Sequence, residues 1–217
     1  MYDHAVKKPF VFEWPVDQHG YEIERSKRYG PSLVGSATYD FIRPIGGPPR
    51  YYRPLEEHPG LWRQFADTCL SFEGVLAFVR EFGLLTDLWN GGRDYPDRIL
   101  KTAELIRQVA TKLDGGDRRG AADLLNAQPP NIAEMLDWSD RIGRFETRLV
   151  TFDLRSALLH QAAEAITGNH QWRRCRNHGC PHWLQLGGPR GVTVRREFCS
   201  DRCRVASARR QKAKQEA

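Results

Sequence analysis

The sequence predicts an α+β protein. It has a mainly helical body with a β-rich N-terminal segment, and a small C-terminal treble-clef-like four-cysteine zinc finger. Three observations carry this. Phe10, Phe12, Trp14 and Val16 alternate in PFVFEWPV near the start, the period of a half-buried strand. Apolar stripes of helical period recur between residues 59 and 168. Four of the five cysteines follow residue 174. The expected division is a body over 1–170, β-rich over 1–55 and mostly helical over 59–168, and a finger over 172–217.

In chain order, YEIERS and SATYDFIRP are further, weaker strand signals. RPIGGPPRYYRP is dense in Pro and Gly and reads as an irregular connection. PGLWRQFADTC then opens the helical part, with Leu61, Trp62 and Phe65 on one side. Ser71 is placed to cap FEGVLAFVREFG, and Gly83 to stop it. YPDRILKTAELIRQVATKLDGG carries one stripe of Ile99, Ala103, Ile106, Val109, Ala110 and Leu113, with Pro96 near its start and Gly115 and Gly116 at its end. RRGAADLLNAQ reads as a short helix halted by Pro129 and Pro130. NIAEMLDWSDRIG reads as helix, and RFETRLVTF alternates like a strand. Asp153 is placed to cap LRSALLHQAAEAITG, whose Leu154, Ala157, Leu158, Ala162 and Ile166 share a face. Cys69, among apolar neighbours in FADTCLSF, reads as a core residue.

The composition, 40% hydrophobic and 11% aromatic over 217 residues, supports a packed core and argues against wholesale disorder. No apolar run approaches the roughly 18 residues of a membrane span. MYDHAVKKPF has no apolar stretch behind its lysines, so no signal peptide is expected, and the expected location is cytoplasmic. Thiols stay reduced there, and clustered cysteines more often hold metal than form disulfides.

The net charge of +6 is uneven. From Trp172 onward there are 12 Lys/Arg against 3 Asp/Glu, a balance of +9, which leaves 21 against 24 before it. A mildly acidic body therefore carries a strongly basic tail, an asymmetry that points to a polyanion partner.

Cys175, Cys180, Cys199 and Cys203 are spaced C-x4-C-x18-C-x3-C. Close pairs suit a tetrahedral metal, because a short loop aims two thiolates at one point. The stretch between the pairs suits a hairpin: WLQL, a GGPRG turn, then VTVRREF. Cys199 and Cys203, at i and i+4, would share a helix face, with Ser200 or Asp201 starting that helix. A segment of about 40 residues also needs such a staple to fold. The expectation is one structural Zn2+ on Cys175, Cys180, Cys199 and Cys203. An iron–sulfur cluster is the alternative guest. His178 and His182 lie beside the first pair and are expected to face solvent or to sit behind the ligands.

These residues resemble the bacterial CGNR-type zinc fingers. RCRNHGCPHWLQL is similar to that family's first knuckle, and FCSDRCRVASARRQKAK to its closing half, a Cys-Ser-containing pair running into a basic helix. The likeness covers roughly residues 172 to 214. The signature tetrapeptide is replaced by CRVA at 203–206, and the second pair is x3 rather than x4, which suggests a sister group. The resemblance implies a bacterial transcription regulator whose N-terminal region is of a stress-response type.

In the helix after Cys199, Arg202, Arg204, Arg209, Arg210, Lys212 and Lys214 spread around the axis. Val205, Ala206, Ala208 and Ala213 leave only a shallow apolar side. Arg195 and Arg196 extend the charge. Such a helix stays solvated or meets a polyanion. The expected partner is DNA, bound by phosphate pairing and counterion release, and the bland alternative is a solvated tail. No P-loop, dinucleotide glycine pattern, HExxH or nucleophile elbow is present, so no enzyme is expected. His160 and Glu164 at i and i+4 read as a surface pair. The functional expectation is a zinc-binding, DNA-binding regulator with an N-terminal sensing or assembly domain. The alternative is a zinc-stabilised protein-interaction module.

Overall fold

A computed structural model of the chain describes residues 12–28, 37–86, 92–139, 144–168, 171–186 and 195–215. It is a mixture of helices and small antiparallel sheets, the α+β class. The elements run β1 (Trp14–Asp17), β2 (Tyr21–Arg28), β3 (Ala37–Pro44), β4 (Pro49–Tyr52), α1 (Pro54–Glu57), α2 (Leu61–Thr68), α3 (Phe72–Phe82), α4 (Pro96–Asp114) and α5 (Arg118–Asn126). They continue with β5 (Ile132–Ser139), β6 (Arg144–Thr151), α6 (Leu154–Thr167), β7 (Gln171–Arg174), β8 (Trp183–Leu186) and α7 (Asp201–Gln215). The strands pair as β1–β4, β2–β3, β5–β6 and β7–β8, all antiparallel.

Phe12, Trp14 and Val16 are buried, as their alternation predicts, and Phe10 lies outside the described residues. The Pro- and Gly-rich segment is not wholly irregular, because Pro49–Tyr52 forms β4 with Trp14 opposite Tyr52. A side chain makes this possible. The Asp17 carboxylate accepts hydrogen bonds from the backbone N–H groups of His19 (2.7 Å), Gly46 (2.8 Å) and Gly47 (2.9 Å), which folds the glycine loop back along β1. Proline is tolerated because a two-stranded sheet has only edge strands.

Capping follows the sequence. Ser71 Oγ accepts from Gly74 N–H, Asp117 from Gly120 N–H, and Asp153 from Ser156 N–H, each satisfying a donor in a first helical turn. Gly83 ends α3 at φ 87°, and a Cβ there would stand 2.6 Å from the Pro15 carbonyl oxygen. Beside it, Trp14 Nε1–H donates to the Leu84 carbonyl at 2.8 Å, which fastens the N-terminal strands to the helices. The core between α2, α3, α4 and α6 contains Trp62, Phe65, Phe78, Ile99, Ile106 and Leu158, all nearly inaccessible. Burial of Phe65 or Phe78 stabilises the fold by ~1.5–3 kcal/mol. Cys69 is part of this core, and burial pushes its thiol pKa far up. His160 and Glu164 stand 3.9 Å apart, one helical turn separated on α6.

Two segments depart from expectation. IAEMLDWS is strand β5, not helix, and pairs along its whole length with β6 from Ile132↔Thr151 to Ser139↔Arg144. Ala, Glu, Met and Leu favour a helix locally, but the adjacent β6 offers a full ladder and decides the outcome. WLQL, as β8, pairs with the preceding β7, a pairing the sequence did not suggest. The hairpin thus closes around the first cysteine pair. Residues 187–194, with the GGPRG turn, lie outside the described residues, and 195–198 are not strand.

Candidate metal centre

The first cysteine pair is set by the β7–β8 hairpin. Cys175 follows β7, and its N–H donates to the His182 carbonyl at 2.9 Å, across the base of the loop. Within it, Cys180 N–H donates to the Asn177 carbonyl at 3.0 Å, which turns the second thiol back toward the first. The second pair sits at the start of α7. Ser200 caps the helix, its Oγ accepting from Cys203 N–H at 3.3 Å. Cys199 therefore lies just before the helix and Cys203 in its first turn, a geometry different from two residues on one helical face.

The two pairs meet through the backbone. Arg176 N–H donates to the Glu197 carbonyl at 2.9 Å, and the Arg176 guanidinium grips both carboxylate oxygens of Glu197. The four sulfurs lie within 4.8 Å of one another. Cys199 and Cys203 are 3.4 Å apart, Cys180 and Cys199 3.6 Å, and Cys203 and Cys180 3.7 Å. These separations are far beyond the ~2.05 Å of a disulfide. They approach the edges of about 3.8 Å that a sulfur tetrahedron of about 2.3 Å radius requires. The donor set and its spacing fit a metal ion. Cys175 and Cys180 are buried, and Cys199 and Cys203 half-buried.

The electrostatics lead to the same requirement. Burial raises the Cys180 thiol to about 11 and the Cys199 thiol further, helped by neighbouring thiols that hold Cys199 in its protonated form. Burial also pushes Cys203 up, but hydrogen bonds from Cys199 and Ser200, among others, outweigh it and bring Cys203 down to about 7. Cys203 is thus ready to ionise while Cys180 and Cys199 resist, and a bound cation would favour the thiolate at both. Further donors stand around them. Cys199 N–H reaches Cys175 Sγ, and Asn177 Nδ2–H reaches Cys203 Sγ, each at 3.5 Å. His178 is exposed, and His182 is half-buried with its ring parallel to that of His58, centroids 6.3 Å apart.

The cationic residues divide. Arg210 is turned inward, donating to the His178 carbonyl at 2.6 Å and to Asn177 Oδ1 at 3.3 Å, and so fastens α7 to the knuckle. Arg196 donates to the carbonyls of Phe198 and Cys199. Arg204 pairs with Asp201 at 3.1 Å. Arg195, Arg202, Arg209, Lys212 and Lys214 are exposed. At 100° per residue, Arg202, Arg209 and Lys212 fall within about 80° of one another on the side away from Cys203 and Arg210.

The knuckle also rests on the body. Trp183 Nε1–H donates to Asp67 at 3.0 Å. The Arg63 guanidinium lies between the Trp62 and Trp183 rings, at 4.7 and 4.8 Å, while Asp114 takes its two outer nitrogens at 3.0 and 2.7 Å. Gly60 admits this approach, since a Cβ there would stand 2.8 Å from Trp183 Cβ. Sequence reading missed Gly60, Arg63, Asp67 and Trp183. They meet only through the fold, and no local spacing marks them.

No protein-family model, curated protein or solved structure matches the chain. Among the described residues, no helix is long and apolar enough to cross a membrane.

Proposed function

We propose that the chain is a zinc-stabilised, DNA-binding cytoplasmic regulator, a sister of the CGNR-type fingers, with a body that senses a ligand or mediates assembly. One observation carries this reading: the four-cysteine cluster opens directly into a 15-residue helix on which Arg202, Arg209, Lys212 and Lys214 are exposed. Zn2+, when bound, would supply a node joining knuckle and helix. Cys175 and Cys180 hold it from the hairpin, Cys199 and Cys203 from the helix start. Arg210 and Asn177 fix the helix direction, and Arg195, Arg202, Arg209, Lys212 and Lys214 meet phosphates. Four protein thiolates complete the shell, the form of a structural site rather than a catalytic one, so the reading includes no enzymatic role.

The test combines metal analysis of the purified protein with duplex DNA binding at graded salt. The expected results are one zinc per chain and a log–log salt slope near −0.9 for each phosphate neutralised. Binding that ignores salt, or that survives removal of residues 204–217, overturns the DNA reading.

The second reading, a zinc-stabilised protein-interaction module, draws on the internal engagement of Arg196, Arg204 and Arg210, which reduces the charge offered outward. Zinc-loaded protein that leaves duplex DNA unbound even at low salt favours it.

A further inference from the structure

Asn177 stands where the first cysteine pair, the second pair and the basic helix meet. It is half-buried, in the loop between Cys175 and Cys180. Its backbone carbonyl accepts from Cys180 N–H at 3.0 Å. Its side-chain Nδ2–H reaches Cys203 Sγ at 3.5 Å, and its Oδ1 accepts from the Arg210 guanidinium at 3.3 Å. The guanidinium has only donors to offer, so it fixes which end of the amide is oxygen and leaves the N–H end for the sulfur.

The helix period places Arg210 for this contact. It follows Cys203 by seven residues, about 20° from it around the axis and about 10 Å along it. One face of α7 therefore carries both the sulfur and the guanidinium, and the Asn177 amide touches both. The His178 carbonyl, at 2.6 Å, anchors the guanidinium there.

Four thiolates around a divalent cation leave an excess of two negative charges. N–H donors stabilise sulfur in that state, and groups behind the ligands commonly set metal affinity. Cys175 has such a donor in the Cys199 backbone, at 3.5 Å. Cys203 has its donor in a side chain, so its hydrogen bond is open to substitution. A cation at the oxygen end of an amide polarises it and strengthens the N–H at the other end.

We infer that Asn177 is a positioning residue of the metal centre, which passes the pull of the Arg210 charge to the Cys203 sulfur and so tightens the hold on the ion. This rests on the four-cysteine metal reading and is independent of nucleic acid. The Arg210 side chain is exposed and partly screened by water, so the amide contributes more than the guanidinium behind it.

The experiment uses the full chain. Zinc affinity is measured against a competing chelator, and the Co2+-loaded chain supplies the sulfur-to-metal charge-transfer band. Asn177→Asp is the deciding variant. It keeps an oxygen for Arg210, so the clasp on α7 remains, but it has no N–H for Cys203. It is expected to bind zinc at least ~10-fold more weakly. Its band is expected at longer wavelength, because a sulfur without its hydrogen bond gives up electron density more readily. Asn177→Ala is expected to lose ~10-fold, and Arg210→Met less than that. In the Asn177→Ala background Arg210→Met is expected to have no further effect, since its path to the sulfur is gone. A wild type that takes up no metal overturns this inference together with the metal reading. A metal-binding wild type matched by Asn177→Asp in affinity or in band position overturns the inference alone. So does an Arg210→Met loss of equal size in the wild-type and Asn177→Ala backgrounds.

Discussion

Around Phe65 the chain is closed by hydrocarbon, and around Cys199 by sulfur. In the body, aromatic and aliphatic side chains from six helices and the N-terminal strands exclude water from one continuous core. Among its described residues, the region after residue 170 buries only Cys175, Cys180, Leu184 and Leu186, and α7 has no buried residue over 201–214. A helix this polar has no apolar face with which to dock. It is positioned instead by a capped first turn carrying Cys203 and by the Arg210 clasp on the knuckle. Order that comes from ligands and clasps leaves the rest of the helix surface for charge. Order that comes from burial consumes a face of every helix.

The strongest way to break this comparison is to remove the ligands. Structural zinc in small fingers contributes on the order of 10 kcal/mol or more of apparent free energy. Cys199→Ser, or a strong chelator, is expected to unfold the region after residue 170 and leave the body helices standing. Amide hydrogen exchange reads this directly: protection in 171–186 and 195–215 collapses, and protection in α2, α4 and α6 persists. Collapse of both together would show that the body leans on the metal.

Phe65→Ala tests the reverse. It removes a fully buried ring from the middle of α2 and is expected to cost ~3–5 kcal/mol. Thermal unfolding should show the loss, and metal stoichiometry of the folded fraction should not change.

The junction comes next in size. Trp183→Ala removes the hydrogen bond to Asp67 and one ring of the Arg63 sandwich, while Asp114 still pairs with the guanidinium. The expected loss is about 2 kcal/mol, built from one hydrogen bond, one cation–π contact and part of a ring's burial. If the two regions are coupled there, the variant separates their unfolding into two transitions in calorimetry.

Legibility followed the same divide. The four-cysteine cluster was readable because cysteine pairs at loop spacing have few other uses, and Asp153, Ser71 and Gly83 announced their helix ends by residue type. The β7–β8 pairing was not seen in the sequence because WLQL looks equally ready to pair with either neighbour in the chain. β5 was misread because the β6 ladder outweighs its local helix propensity. The Arg63–Trp183 junction left no trace in sequence, since the residues that form it stand 120 positions apart, and only the assembled core brings α2 beneath the knuckle.

The smallest expected effect concerns a polar tie inside the body. The Asp17 carboxylate gathers three backbone N–H groups at the glycine loop, much as the cysteines gather around one point, but it needs no metal. Burial pushes its pKa up, and the hydrogen bonds from Gly46, His19 and Gly47 outweigh this and hold it below the usual 3.8. Because the folded-state value lies below the unfolded one, the carboxylate's contribution is fully present above about pH 4 and is lost as pH falls through the folded-state value. Asp17→Asn keeps one acceptor oxygen but no charge, so it is expected to cost about 1 kcal/mol at pH 7. Urea unfolding at stepped pH measures both chains, and the gap between them should close once the wild-type carboxylate is protonated. A gap that stays constant from pH 7 to pH 3 would mean that the charge contributes nothing and the loop is held by shape alone.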